Sequence, residues 1–332
     1  MKKTLARWAV DVWYKDTFLG ILLLPFAAIF SGIVRIRRFL YRKGWLKSHT
    51  LPVPVIVVGN ITVGGTGKTP LIIWLAELLA KSGYKTGIIS RGYGGKSDSW
   101  LQIVTENSDV NQVGDEALLI AKRTYLPVVV SPSRVDAAKQ LLDNFDCNVL
   151  LSDDGLQHYK LNRDIEIAVI DGERRFGNGY CLPAGPLREP IERLGNVDFV
   201  VVNGEIVEDH EFSMKLIGDT AINMLTGEQK PLQVFRGVKC HALAGIGNPR
   251  RFFKLLESVG LPCVLHSFPD HYQFQQHDIE FGDNNPVLMT EKDAVKCFAY
   301  AGQNHWYVPV KALPEPSFGE QLLNLLTKKH DR

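Results

Sequence analysis

VPVIVVGNITVGGTGKTP, residues 53–70, decides the fold. VPVIVV (53–58) is a continuous apolar run, the kind buried on both faces of a parallel sheet. The next residues are rich in glycine, and a helical stretch then runs from Lys68 to about Ser82, closed by Gly83. A strand that passes through a glycine loop into a helix is the setting a phosphate-binding loop requires. Gly64, Gly65 and Gly67 let backbone N–H groups curl around phosphate oxygens, and the helix N-terminus adds its positive dipole end. Lys68 is expected to reach the β- and γ-phosphates, and the Thr69 hydroxyl to ligate Mg²⁺. Thr62, Val63, Gly64, Gly65, Thr66, Gly67, Lys68 and Thr69 are therefore the expected nucleotide contacts. One residue departs from the consensus: Thr62 stands five positions before Gly67, where glycine is usual, and the neighbouring glycines are expected to absorb the turn.

Outward from this loop, apolar runs alternate with helical stretches. KTGIIS (85–90), LPVVV (126–130), CNVLL (147–151), IEIAVI (165–170) and DFVVV (198–202) are predicted strands. Ser131-Pro132 looks like an N-cap with proline at the first helical position. Strands separated by helices indicate a doubly wound parallel sheet. Near residue 230 the pattern restarts with CHALAG (240–245), a helix opened by Asn248-Pro249 and ended by Gly260, the short strands CVLHSF, PVLMT and HWYVPV, and a last helix from Phe318 to about Lys328. The expected fold is α/β: a P-loop NTPase-like doubly wound parallel sheet, a second, smaller α/β domain, and an N-terminal membrane-associated helix. The expected boundaries are 1–48 for the N-terminal segment, 49–232 for the P-loop core and 233–332 for the smaller domain.

Phe18 to Val34 carries no charge over seventeen residues and is followed at once by Arg35, Arg37, Arg38, Arg42 and Lys43, with Trp8, Trp13 and Tyr14 before it. Aromatic rings and basic clusters mark a membrane interface. A spanning helix needs about 20 apolar residues, and Pro25, Gly20 and Gly32 weaken this one. A buried core helix and a single spanning helix remain as readings, and the favoured one is an in-plane or partly inserted anchor. No small-residue cleavage site follows, which argues against a signal peptide.

Composition narrows the field. The 332 residues are 45% hydrophobic and 22% charged with a net charge of +2, ordinary for a globular chain and not for a nucleic-acid binder. The positive charge concentrates in residues 1–50, which hold ten Lys or Arg against Asp11 and Asp16. Five scattered cysteines, without a CxxC pair, fit a reducing compartment and no zinc site.

Ser152-Asp153-Asp154-Gly155 follows the CNVLL strand directly, and a carboxylate there is where a P-loop enzyme holds Mg²⁺. Taken alone, DDG is also a common turn. The order Thr290-Glu291-Lys292-Asp293 fails the spacing of a guanine-reading motif, which argues against GTP.

GNITVGGTGKTP, SRGYGG (90–95), VGDEA (113–117), DDGLQH (153–158), LPAGPLREP (182–190), FPDHY (268–272) and MTEKD (289–293) resemble, in order, the motifs of the tetraacyldisaccharide 4′-kinase family of lipid A biosynthesis in Gram-negative bacteria. The similarity runs from about residue 15 to about 325. It implies transfer of the ATP γ-phosphate to the 4′-hydroxyl of an acylated glucosamine disaccharide phosphate, forming lipid IVA, at the cytoplasmic face of the inner membrane. It implies a catalytic pair at Asp115 and His271 beside Lys68, and magnesium carboxylates at Asp153 or Asp154 with Glu189 nearby. Ala117 stands where the family often has proline after GDE, expected to affect a helix start and not the chemistry.

By themselves these residues have plainer readings. Asp115 would be a helix N-cap, His271 a turn residue, Arg188 and Glu189 a salt bridge, and Gln157 and His158 backbone hydrogen-bonding partners. With the resemblance, Asp115 and His271 become a proton-accepting pair, brought together by domain closure. Arg91, Gln157, His158 and Arg188 become substrate or phosphate contacts. The expected partners are the lipid substrate and the inner-membrane surface, with no nucleic acid and no protein partner specified. The rival classes are a membrane-associated P-loop switch or metallochaperone, which has no need of GPLREP or an Asp–His pair, and a non-catalytic basic adaptor, against which the intact Gly67-Lys68-Thr69 argues.

Overall fold

The computed structural model describes residues 12–15, 17–95 and 101–330. Trp8, Asp11 and Asp16 lie outside the described residues. The helices are α1 (Phe18–Arg42), α2 (Lys68–Lys81), α3 (Val110–Val113), α4 (Asp115–Thr124), α5 (Arg134–Asn144), α6 (Pro249–Ser258), α7 (Gln276–Ile279), α8 (Glu291–Cys297) and α9 (Pro316–His330).

The larger sheet has nine strands: β1 (Val55–Gly59), β2 (Thr86–Ser90), β3 (Gln102–Val104), β4 (Val128–Val130), β5 (Val149–Asp153), β6 (Ile165–Asp171), β7 (Phe199–Asn203), β8 (Glu211–Ile217) and β15 (Lys311–Pro314). Their order is β15-β8-β7-β6-β1-β5-β2-β4-β3. The seven inner strands are parallel, and β15 and β3 add antiparallel edges. All five residues of β1 are buried, as strands covered on both faces require. The chain order reverses around β1, with β5 on one side and β6 on the other, and ligands of such sheets bind in the crevice at that switch point.

The second sheet holds β9 (Thr220–Asn223), β10 (Gln229–Pro231), β11 (Cys240–Ala244), β12 (Cys263–Ser267), β13 (Val287–Thr290) and β14 (His305–Val308), in the order β10-β9-β14-β13-β11-β12. The expected boundary at 232/233 and the expected end at 332 need correction. The second sheet already begins at Thr220, and the chain returns to the larger sheet at β15, where Leu313 faces Lys215 of β8. Helix α9 follows it: Phe318, Leu322 and Leu326 are fully buried in the larger core, with the Phe318 ring 5.7 Å from Trp74 and 5.4 Å from Phe199. Helical periodicity shows that α9 has an apolar face, and says nothing of which sheet receives it.

Two smaller differences have local causes. Ser133, not Ser131, caps α5, accepting from the Asp136 N–H at 3.3 Å, while Ser131 Oγ accepts from the Ser133 N–H. Helix α1 runs through Pro25 for 25 residues, capped by Thr17, and buries only Gly20 and Ala27, which removes the core-helix reading. Its inner side places Phe30 against Ile61, Cys181 and Leu187. Phe18, Leu22, Phe26, Ile29, Ile33 and Ile36, spaced four, four, three, four and three, form one stripe, each between 54% and 74% exposed.

Candidate active site

The phosphate loop takes its form from two neighbours. Residues 61–63 run extended beside the LPAGPLREP segment: Thr62 bridges Leu187, the Val63 N–H donates to Pro186 O at 2.8 Å, and the Arg188 N–H donates to Ile61 O at 2.7 Å. This pairing explains why Thr62 serves where glycine is usual. The turn comes later, at Gly64 and Gly67, with φ of +111° and +100°. A Cβ on Gly67 would stand 2.6 Å from Asn203 Nδ2, which donates to Thr66 O at the end of β7. From the other side the loop after β11 lies directly on the phosphate loop, since a Cβ on Gly247 would come 2.4 Å from the Gly65 nitrogen. Arg174 donates to Gly247 O at 2.9 Å, and Arg251 on α6 donates to Asp171 at 2.8 Å, so the second sheet is tied to the ends of β6 and β7.

The two carboxylates at the end of β5 have different surroundings. Asp154, at φ +47°, accepts both guanidinium nitrogens of Arg188 at 2.8 and 2.9 Å and lies 3.6 Å from Lys68 Nζ. Burial alone would raise its pKa, but Lys68 and Arg188 outweigh that and hold it well below the usual carboxylate range. Asp153 is 2% exposed; its Oδ2 accepts from Ser90 Oγ at 3.1 Å and its Oδ1 has no partner. Burial, then Glu116 and Asp154, push its pKa up to about 7. Behind both stands Arg134, 3% exposed, which donates to Asp153 O at 2.9 Å and Asp154 O at 3.4 Å. Arg134 escaped the sequence reading because an arginine at a helix start resembles any solvated charge.

Glu189, expected near the magnesium carboxylates, lines the cleft but is engaged by other side chains. It is 1% exposed, and its oxygens accept from Gln157 Nε2 at 3.0 Å and from the Tyr159 hydroxyl, with Arg193 Nε at 3.6 Å. Gln157 also donates to Asn60 O, where it meets Arg188, so both residues brace the loop. His158 lines the cleft with a buried, unpartnered Nε2, and burial, then Arg134 and Arg163, pull its pKa down to about 4. Arg91 is exposed on the cleft wall, free to meet an anion.

The opposite wall comes from the second sheet. His271 Nδ1 lies 3.0 and 3.1 Å from the two oxygens of Asp115. His271 sits at φ +56°, its ring 4.7 Å from that of Tyr93 in SRGYGG. It lines the cleft, whereas Asp115 lies behind it, 4% exposed in the first turn of α4. Burial would raise the Asp115 pKa, but the His271 hydrogen bond, Lys292 and Lys296 bring it down to about 2. The pair is thus assembled across a standing contact between α4 and α8, in which Arg123 meets Glu291 at 2.7 Å and Lys292 meets Glu116 at 2.9 Å. Domain closure was the expected means of bringing this pair together; with Lys296 3.7 Å from Asp115 as the third, three ion pairs between the two helices join the two walls without it.

The cleft between these walls encloses about 2960 Å³ and is lined by Lys68, Thr69, Asp153, Asp154, Arg188 and His271 among others. Backbone amides on one wall can hold phosphate, and an imidazole on the other can accept a proton, which is the division of labour in a P-loop kinase. The tetraacyldisaccharide-1-P 4′-kinase family model matches residues 19–327, and the chain belongs to that family. It is 54% identical to the tetraacyldisaccharide 4′-kinase of Nitrosococcus oceani over 95% of this chain and 93% of that one. It is 47% identical to that of Actinobacillus pleuropneumoniae over 96% and 99%. Among solved structures it is similar to LpxK from Aquifex aeolicus in complex with ATP, at TM-score 0.78 and 32% identity, covering 94% of this chain and 99% of that one.

Proposed function

We propose that this chain transfers the γ-phosphate of ATP to the 4′-hydroxyl of a tetraacylated glucosamine disaccharide 1-phosphate, forming lipid IVA. The observation that carries the reading is the His271–Asp115 pair facing the phosphate loop across the cleft. His271 donates Nδ1–H to Asp115 and presents Nε2 to the acceptor hydroxyl, taking its proton as the oxygen attacks phosphorus. Asp115 orients the ring and stabilises the imidazolium that forms. Lys68 and the loop amides stabilise charge on the transferring phosphoryl group. Arg188 grips Asp154 through both guanidinium nitrogens and, with Arg91 and His158, offers positive or neutral donors to phosphate oxygens.

The donor set suits Mg²⁺. Asp153 Oδ1 is buried without a hydrogen-bond partner, beside Asp154 at the end of β5, and is an oxygen a cation could take. Asp153 and Thr69 would hold the ion, which would supply positive charge to offset that of the phosphate groups. Glu189 supports Gln157 and Tyr159 instead.

The exposed stripe of α1 supports a membrane-facing surface, with the exposed Arg42 and Lys43 at its C-terminal end meeting anionic headgroups at the cytoplasmic face of the inner membrane. An acylated acceptor would reach the cleft from that surface. The test is phosphate transfer from ATP to the acylated disaccharide 1-phosphate in detergent micelles, compared with water as acceptor. Faster release of phosphate to water than to lipid would favour a nucleotide switch and sink the kinase reading.

A further inference from the structure

Asp115 has a second buried neighbour. Lys296, in the last turn of α8, has a side chain only 2% exposed; its ammonium lies 3.7 Å from Asp115 Oδ2 and 2.8 Å from Asp293 Oδ1. A buried ammonium is costly unless carboxylates lie close to it, and here two stand within salt-bridge distance. Asp293 is fully buried and accepts from the Gly245 N–H at 2.8 Å and from Thr290 Oγ1 at 2.6 Å. The Phe274 ring packs on the ammonium at 4.9 Å. Lys296 therefore reaches from the second sheet to the carboxylate behind His271, and its position is set by β11, β13 and α8 together.

We propose that Lys296 is a positioning residue for phosphoryl transfer: from its buried ion pair with Asp293 it holds the Asp115 carboxylate in place behind His271. The inference rests on the reading of Asp115 and His271 as the proton-accepting pair. Lys292, at the cleft edge, divides its charge between Glu116 and Asp270 at 2.9 and 3.2 Å. Lys296 has only Asp293 and Asp115 as anionic partners within salt-bridge distance among the described residues. The other titratable groups facing the pair are Tyr93, Glu116, Asp270 and Lys292, and behind Lys296 stands Cys297, whose thiol is pushed up to about 12 by burial and Asp293.

The test uses full-length protein in micelles with ATP and the acylated disaccharide. Lys296→Met keeps the volume and removes the charge. We expect kcat to fall about 10- to 100-fold, as for misplaced catalytic groups, with the ATP KM within about twofold. Losing a cation beside the pair makes a proton on it cheaper, so the acidic limb of the rate should move to higher pH by roughly one unit. In an Asp115→Asn background the same change should cost nothing further. Unchanged kcat and an unmoved limb, with Asp115→Asn still inactive, would overturn the role of Lys296 alone; a fully active Asp115→Asn would remove the pair itself. An equal further loss in the Asp115→Asn background would make Lys296 merely structural. Should Lys296→Met fail to fold, Asp293→Asn probes the contact from the other side. Freed of Asp293, Lys296 turns wholly to Asp115, and the limb should move to lower pH; an unmoved limb would again overturn the proposal.

Discussion

His271 and Asp115, 156 residues apart, share a hydrogen bond of 3.0 Å, with the imidazole on the cleft surface and the carboxylate buried behind it. That order supports the proposed roles, proton acceptance by His271 and orientation by Asp115. His271→Ala and Asp115→Ala should each lower kcat by about 10²- to 10⁴-fold with little change in the ATP KM. Because the two act as one unit, the double variant should be scarcely slower than either single variant. Strictly additive losses in a double-mutant cycle on kcat would mean that they work independently.

Lys68 Nζ lies 3.6 Å from Asp154 and lines the cleft. Lys68→Ala should reduce turnover at least about 10²-fold while the far-ultraviolet circular dichroism and melting temperature remain close to wild type. Near-normal turnover in a folded Lys68→Ala protein would contradict the phosphate-loop assignment.

Asp153 carries a stability cost that depends on pH. Its folded pKa is raised to about 7 from the ordinary carboxylate value of 3.8, so the unfolded state ionises more readily. Native stability therefore falls as pH rises from about 4 towards 7 and stays reduced above that. Asp153→Asn removes the cost, and the variant should melt a few degrees above wild type at pH 8, with the gap closing towards pH 4 and turnover lost. Equal melting at both pH values would show that the carboxylate is not strained.

Asp115 has the opposite sign. Its folded pKa is lowered to about 2, so its contribution to stability is present above about 4 and is lost as pH falls towards 2. Acid unfolding of Asp115→Asn followed by tryptophan fluorescence should lose that part of the steepness between pH 4 and 2. A profile superimposable on wild type would count against the buried ion pairs around Asp115.

The two sides of α1 can be separated. Phe26, Ile29 and Ile33 are exposed, whereas Ala27 and Phe30 pack inward. Replacing the three exposed residues with serine should release the protein from anionic vesicles, each having contributed about 1.5–3 kcal/mol if fully buried in lipid, and leave the melting temperature unchanged. Removing residues 1–35 also strips Ala27 and Phe30 from the core, so it is expected to destabilise as well as detach. Continued flotation of the triple serine variant with vesicles would place the anchor elsewhere.

The strand–loop–helix unit at 55–81 was legible because its signals are local: β-branched residues in a row, glycines where the chain must turn, and a helix behind them. Asn248-Pro249 opening α6 was legible for the same reason. Asp115 and His271 came from likeness to a family, since nothing in VGDEA or FPDHY says that two distant turns meet.

The sequence by itself therefore determined the α/β class, the nucleotide loop and the apolar N-terminal segment, because periodicity and backbone preference act over a few residues. Tertiary structure alone decided that β15 and α9 return to the larger sheet, that Glu189 braces Gln157 and Tyr159, and that Lys296 lies behind Asp115. These depend on which apolar face finds which sheet and on which charges are buried together. Electrostatic energy depends on distance through the folded interior, and separation along the chain does not encode that distance.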